Sequence, residues 1–147
     1  MNVEEAIDAA DINALKWQPL DGFTHCNQWT REVARRMGAH LPAALANDVA
    51  EWLALPSSVG YGWVSATEQT AREWCDAGGL AVAVWANRNG PHGHIAPLTL
   101  GQPGKTYVAQ VGKSVKRRCR LSGAFGGRIV RFYTFNEKHI CESPKKP

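Results

Sequence analysis

The chain has 147 residues, 44% of them hydrophobic and 20% charged, which is enough for one compact core and too little for two. No stretch approaches the roughly 18 consecutive apolar residues that a membrane helix requires. A net charge of +4 and a pI of about 9.0 favour anionic partners, among them nucleic acid, anionic lipid and acidic wall polymers.

The opening residues MNVEEAIDAADINAL are acidic and helical in character, without the basic start and apolar run of a signal peptide. The expectation is a protein made in the cytoplasm, for which any activity in a cell wall needs another route of export. Residues 4–16 are predicted as an amphipathic helix, followed by the turn residues Pro19, Asp21 and Gly22. From Cys26, the spacing Cys26, Trp29, Val33, Met37 predicts a second helix with Gly38 as its stop. A third is predicted over residues 46–55. A fourth starts at Ser65, where Glu68 three residues on completes a capping box; it turns Ala71, Trp74 and Cys75 inward and stops at Gly78 and Gly79.

Beyond Gly79 the pattern changes. Residues 80–86 (LAVAVWA), 94–100 (HIAPLTL), 106–111 (TYVAQV) and 128–135 (RIVRFYTF) are short, rich in β-formers and separated by Gly, Pro and Asn. They predict an antiparallel meander. Helices followed by strands predict an α+β fold, with N-terminal helices packed on a C-terminal antiparallel sheet. One domain is expected over residues 1–147, with SPKKP (143–147) as a frayed tail.

Cys26 follows a turn and opens a helix, where unpaired N–H groups and the positive dipole end are expected to lower a thiol pKa. A thiolate nucleophile needs an imidazole nearby to hold it ionised and later to protonate the leaving amine. Among His25, His40, His92, His94 and His139, the best placed is His94. It opens a predicted strand directly after the loop NRNGPHG, where Gly93 is expected to leave room for a substrate. His94 can equally be a surface strand residue. A third polar group normally orients the base; Gln110 in the next strand either does this or simply faces solvent. Cys75 reads as core, and no CxxC pair marks a zinc site. Cys119 and Cys141 are open to disulfide pairing in an oxidising compartment. Six Trp are many for this length. Trp29 lies on the inward helical stripe with Val33, while Trp63 and Trp85, with His92 and Gly93, are expected to border a substrate groove.

The string THCNQW before an apolar helix, then GHIAPL opening a strand, then VAQVG resembles the helix, strand, strand order of the CHAP and NlpC-type cysteine peptidases, over roughly residues 20–112. The resemblance implies a papain-like domain in which Cys26 attacks an amide of the peptidoglycan stem peptide, His94 is the base and Gln110 orients it. It implies no cofactor and no metal. The neighbours differ from the NlpC pattern of Asp before and Ser-Gly after the nucleophile: here they are His25, Asn27 and Gln28. The expected oxyanion donor is therefore the backbone N–H of Cys26, which a helix N-terminus supplies without any particular side chain. Small size and the absence of a separate wall-binding module resemble a type VI secretion amidase effector, a toxin acting in the periplasm of a rival bacterium and restrained at home by an immunity protein; a phage endolysin shares the chemistry. Neither nucleic acid nor membrane insertion belongs to this reading. Two others differ in class: a metal hydrolase using His92, His94 and either Cys26 or an acidic residue, and a nucleic-acid binder built on KSVKRRCR (113–120) and RIVRFYTF.

Overall fold

The computed structural model describes residues 1–19 and 25–141. The predicted turn residues Asp21 and Gly22 and the tail 143–147 lie outside the described residues. The fold is α+β: helices α1 (Val3–Ala10), α2 (Cys26–Arg36) and α3 (Ala46–Ala54) precede strand β1 (Tyr61–Ala66) and helix α4 (Glu68–Asp76). Strands β2 (Ala81–Trp85), β3 (His94–Thr99), β4 (Tyr107–Val111) and β5 (Val115–Arg120) follow, then α5 (Leu121–Phe125) and β6 (Arg131–Ile140). Among the described residues, no helix is long and apolar enough to cross a membrane.

Helix α1 is shorter than its periodicity predicts. The Asn2 side chain caps its start by accepting from the Glu5 N–H at 2.9 Å. It ends at Ala10 because Asp11 takes the left-handed conformation (φ 53) and turns its N–H back to Asp8 C=O. Asp tolerates that conformation because its short polar side chain can bond locally. Helices α2 and α3 match their predicted spans to within a residue or two, and Trp29 and Val33 are buried as expected.

The predicted fourth helix is displaced. Ser65 belongs to β1, where it pairs with Tyr133, and the cap is Thr67, whose hydroxyl accepts from the Thr70 N–H at 3.1 Å. Pairing of YGWVSA with a strand far along the chain overrides a local helix-start signal.

The six strands form one antiparallel sheet in the order β1-β6-β2-β3-β4-β5. The meander holds for β2 to β5, whereas β6 is inserted between β1 and β2. Both of those run antiparallel to β6 and therefore parallel to each other, joined by α4 as a crossover. Strand β5 and helix α5 were not expected, since four basic residues among the six of VKRRCR mask the strand period. The core gathers Val3 and Ile7 from α1, Trp29 and Val33 from α2, Val49 and Leu53 from α3, and Ala71 and Cys75 from α4 against the strands. Cys75 is core, as predicted. All four cysteines are free thiols; Cys119 is buried on the edge strand β5, and Cys141 follows β6 at the other end of the sheet. That separation rules out the Cys119–Cys141 disulfide.

Two features of β3 position the site. Successive side chains on a strand point to opposite faces, so Ile95 and Thr99 share one face while His94, Ala96 and Leu98 share the other. Thr99 is bonded to Glu4 of α1, and His94 packs on Phe125 of α5, so α1 and α5 lie on opposite faces. The ladder between β3 and β4 is short, pairing Leu98 with Val108 and Thr99 with Tyr107. Towards the start of β3, α2 takes over: Thr30 Oγ1 donates to Ile95 C=O at 3.3 Å and Trp29 Nε1 to Ala109 C=O at 3.1 Å. Helix α2 is thus wedged where the two strands part.

Candidate active site

Cys26 opens α2 at the mouth of this wedge. Its side chain is 5% exposed, and the backbone N–H groups of Ile95, Asn27 and Cys26 itself face the sulfur. Thr30, one turn on, donates its hydroxyl to Cys26 C=O at 2.8 Å and to Ile95 C=O, tying the first turn of the helix to the strand. Burial pushes the Cys26 thiol above its ordinary pKa of 9.0, and the three N–H groups offset this only in part. The sequence-based expectation of a lowered thiol pKa is therefore corrected: desolvation outweighs the helix terminus. At neutral pH Cys26 is therefore a neutral thiol.

His94 is the residue immediately before Ile95, at the start of β3. Burial lowers its pKa from the ordinary 6.5, the Gln110 hydrogen bond opposes the shift, and the nearby charge of Arg128 adds to it. At neutral pH the imidazole is uncharged and can accept a proton. Gln110 is 7% exposed and does not face solvent. Its Oε1 lies 3.3 Å from His94 Nε2, while its Nε2 donates to Ser114 Oγ at 3.0 Å and to Ser114 C=O at 3.3 Å. The amide spends both donors on Ser114, so only its oxygen is left for the imidazole. His94 Nε2 must then carry the proton, and Nδ1 presents the lone pair.

Other groups fix the ring. Phe125 packs against it with centroids 4.8 Å apart. A Cβ placed on Gly112 would lie 3.3 Å from His94 Cε1 and 3.9 Å from Nδ1, so a glycine keeps that edge of the ring uncrowded. Among the described residues no hydrogen bond joins Cys26 Sγ directly to His94. The sulfur instead meets the amide of the adjoining residue.

The predicted groove residues divide. Trp85 pairs with His94 across β2 and β3, on the same face, and carries the Arg128 guanidinium 4.2 Å from its ring centroid. His92 is exposed in the preceding loop, where its C=O accepts from Asn87 Nδ2. Gly93 leaves no room for a substrate: the place of a Cβ is filled by Asn47 Oδ1 and Trp85 C=O, so its role is to let the loop pack closely. Trp63 is not a groove residue. It is 0% exposed, donates Nε1–H to His40 C=O at 2.8 Å and packs on Phe135. Its strand β1 is the far edge of the sheet, with β6 and β2 between it and β3.

Among the described residues no group of three or more His, Cys, Asp or Glu side chains converges, so His92, His94 and Cys26 form no ligand set. Part of the basic run is paired: Arg117 with Glu4 at 2.7 Å and Asp8 at 3.0 Å, and Arg118 with Glu4 at 3.2 Å; among the described residues Lys113, Lys116 and Arg120 have no carboxylate within ion-pairing distance. Sequence reasoning missed Thr30, Gly112, Ser114, Phe125 and Arg128. Thr30 was legible as the residue one helical turn after Cys26; the others lie in the turn between β4 and β5, at the end of α5 and just after it, where no periodic signal marks them. No protein-family model matches the chain, and no curated protein is significantly similar to it.

Proposed function

We propose that the protein is a papain-like cysteine hydrolase of the CHAP/NlpC type, cleaving amide bonds in the stem peptides or cross-links of bacterial peptidoglycan. The observation that carries the reading is the orientation of Gln110: with both amide donors spent on Ser114, its oxygen holds the proton on Nε2 of His94 and leaves Nδ1 basic, one residue from the amide that meets the Cys26 sulfur. A buried thiol above its ordinary pKa, together with a neutral imidazole on the residue preceding Ile95, suits general-base activation.

In the cycle, Nδ1 of His94 takes the Sγ proton as sulfur attacks the scissile carbonyl. The N–H groups at the start of α2 stabilise the oxyanion. The C–N bond breaks as the imidazolium returns that proton to the leaving amine, giving a thioester. Water, deprotonated by His94, then hydrolyses the thioester and regenerates the thiol. The chemistry needs no cofactor. The biological setting that fits is an antibacterial type VI secretion effector acting in a target periplasm, with a cognate immunity protein as its partner in the producing cell.

The test is digestion of purified peptidoglycan by wild type, Cys26→Ala and His94→Ala, with fragments identified by mass spectrometry. Cleavage is expected only from wild type, with both variants folded. Normal cleavage by Cys26→Ala overturns the mechanism, and the fragment masses identify the bond.

A further inference from the structure

A cleft of about 410 Å³ opens beside α5, lined by Lys105, Arg120 and Arg128 against one carboxylate, Glu68. That carboxylate is engaged already: it accepts from Thr106 Oγ1 at 2.7 Å and lies 3.9 Å from Arg72. Among the described residues no carboxylate comes within ion-pairing distance of Lys105, Arg120 or Arg128, whereas Arg35, Arg36, Arg117 and Arg118 all have acidic partners. Each cleft arginine instead has an aromatic ring nearby. Arg120 lies 5.9 Å from the Tyr107 centroid and Arg128 4.2 Å from that of Trp85. At 4.2 Å Arg128 lies over its ring, an arrangement that leaves the N–H edge of a guanidinium for a planar bidentate acceptor. The cleft adjoins the proposed centre through shared residues: Phe125 lines it and packs on the His94 ring, and Arg128 lines it and stacks on Trp85, which pairs with His94.

Resting on the hydrolase reading, we propose that this cleft binds a free carboxylate of the peptide substrate, with Arg128 and Arg120 as specificity-determining residues that select acidic over neutral peptides. Size and surface both favour a peptide over a polynucleotide. The volume is that of a small-ligand site, and the Arg128 guanidinium lies over the Trp85 ring, where a base would otherwise stack.

Binding is measured by calorimetry on the full chain carrying Cys26→Ala, which leaves the ligand intact. The probes are an L-Ala–γ-D-Glu–diaminopimelate–D-Ala peptide with free carboxylates and the same peptide with them amidated. The acidic form is expected to bind about tenfold tighter or more, as charge-assisted hydrogen bonds imply. Adding Arg120→Gln and Arg128→Gln should erase the preference, and Arg128→Lys, which keeps the charge but loses the fork, should leave part of it. Both arginines are exposed, so the core is untouched, and circular dichroism checks the fold. Equal affinity for the two peptides, or a preference that survives the double substitution, overturns the proposal. So does inorganic phosphate competing at the same concentration as the peptide, or a single-stranded oligonucleotide displacing it. If wild type leaves peptidoglycan uncut while the preference persists, the hydrolase reading fails and the carboxylate site stands; cutting without the preference is the reverse.

Discussion

Replacing Gln110 with Ala tests the arrangement of the site most directly. The substitution removes the acceptor 3.3 Å from His94 Nε2 and frees Ser114. A neutral hydrogen bond of that length is worth about 0.5–1.5 kcal/mol net, which corresponds to a fall in kcat of about 2- to 12-fold. Gln110 brings no charge to the developing imidazolium, so the loss of about 10⁴ seen when a triad carboxylate is neutralised is not expected. The pH profile carries a second signature. The Gln110 bond raises the His94 pKa against burial and Arg128, so its removal lets the value sink further, and the acid limb of kcat/KM should move to lower pH. The assay is release of amine from a defined stem peptide, followed across pH 4–8 on the order of ten points, with KM expected to change little. A fall beyond about a thousandfold would mean that Gln110 contacts the reacting atoms. No change in kcat or in the acid limb would mean that the tautomer is set elsewhere. Either result refutes the assignment.

Further expectations concern neighbouring groups. Iodoacetamide labelling of native protein, read by mass spectrometry, should modify exposed Cys141 first and accelerate at Cys26 only above the ordinary thiol value of 9.0, because burial raises that pKa; a Cys26 rate already saturated at pH 7 would indicate a standing thiolate–imidazolium pair instead. Gly112→Ala places a methyl 3.3 Å from His94 Cε1, so kcat should fall while chemical-denaturation midpoints move little, and an unchanged kcat would show that the ring is not held at that edge. Trp63→Ala should lower unfolding free energy by about 3–5 kcal/mol, since the ring is fully buried and bonded to His40 C=O; normal stability with weakened peptidoglycan binding would return Trp63 to the substrate groove.

Much of the scaffold could be read from local pattern. The 3.6-residue spacing of Cys26, Trp29 and Val33 gave α2, and β-rich runs between Gly and Pro gave β2, β3 and β4, because those elements bury one continuous face or sit mid-sheet. What escaped depends on distant partners. Ser65 looks like a helix start until β6 pairs with it, and VKRRCR looks like a solvated basic edge until Glu4 of α1 meets Arg117 and Arg118. Within the site, the Gln110–His94 pair was foreseeable from adjacent strands in a short hairpin. The thiol pKa was not, since burial is set by helices and strands brought together from across the chain. Trp63 and Gly93 were misread for the same reason: aromatic character and small size are visible in a sequence, whereas depth is not.

The threading of β6 between β1 and β2 has a kinetic consequence. Strands β2 to β5 close through short hairpins, so the His94–Gln110 half of the site can assemble from local pairings. Strand β6 must instead find partners far back in the chain, Trp63 with Phe135 among them, and such non-local closure is slow. Until it arrives, β1 and β2 each expose a bare ladder edge, the kind of surface through which partly folded chains stick to one another. Refolding yield should therefore fall with protein concentration even where the hairpin region has already regained its structure.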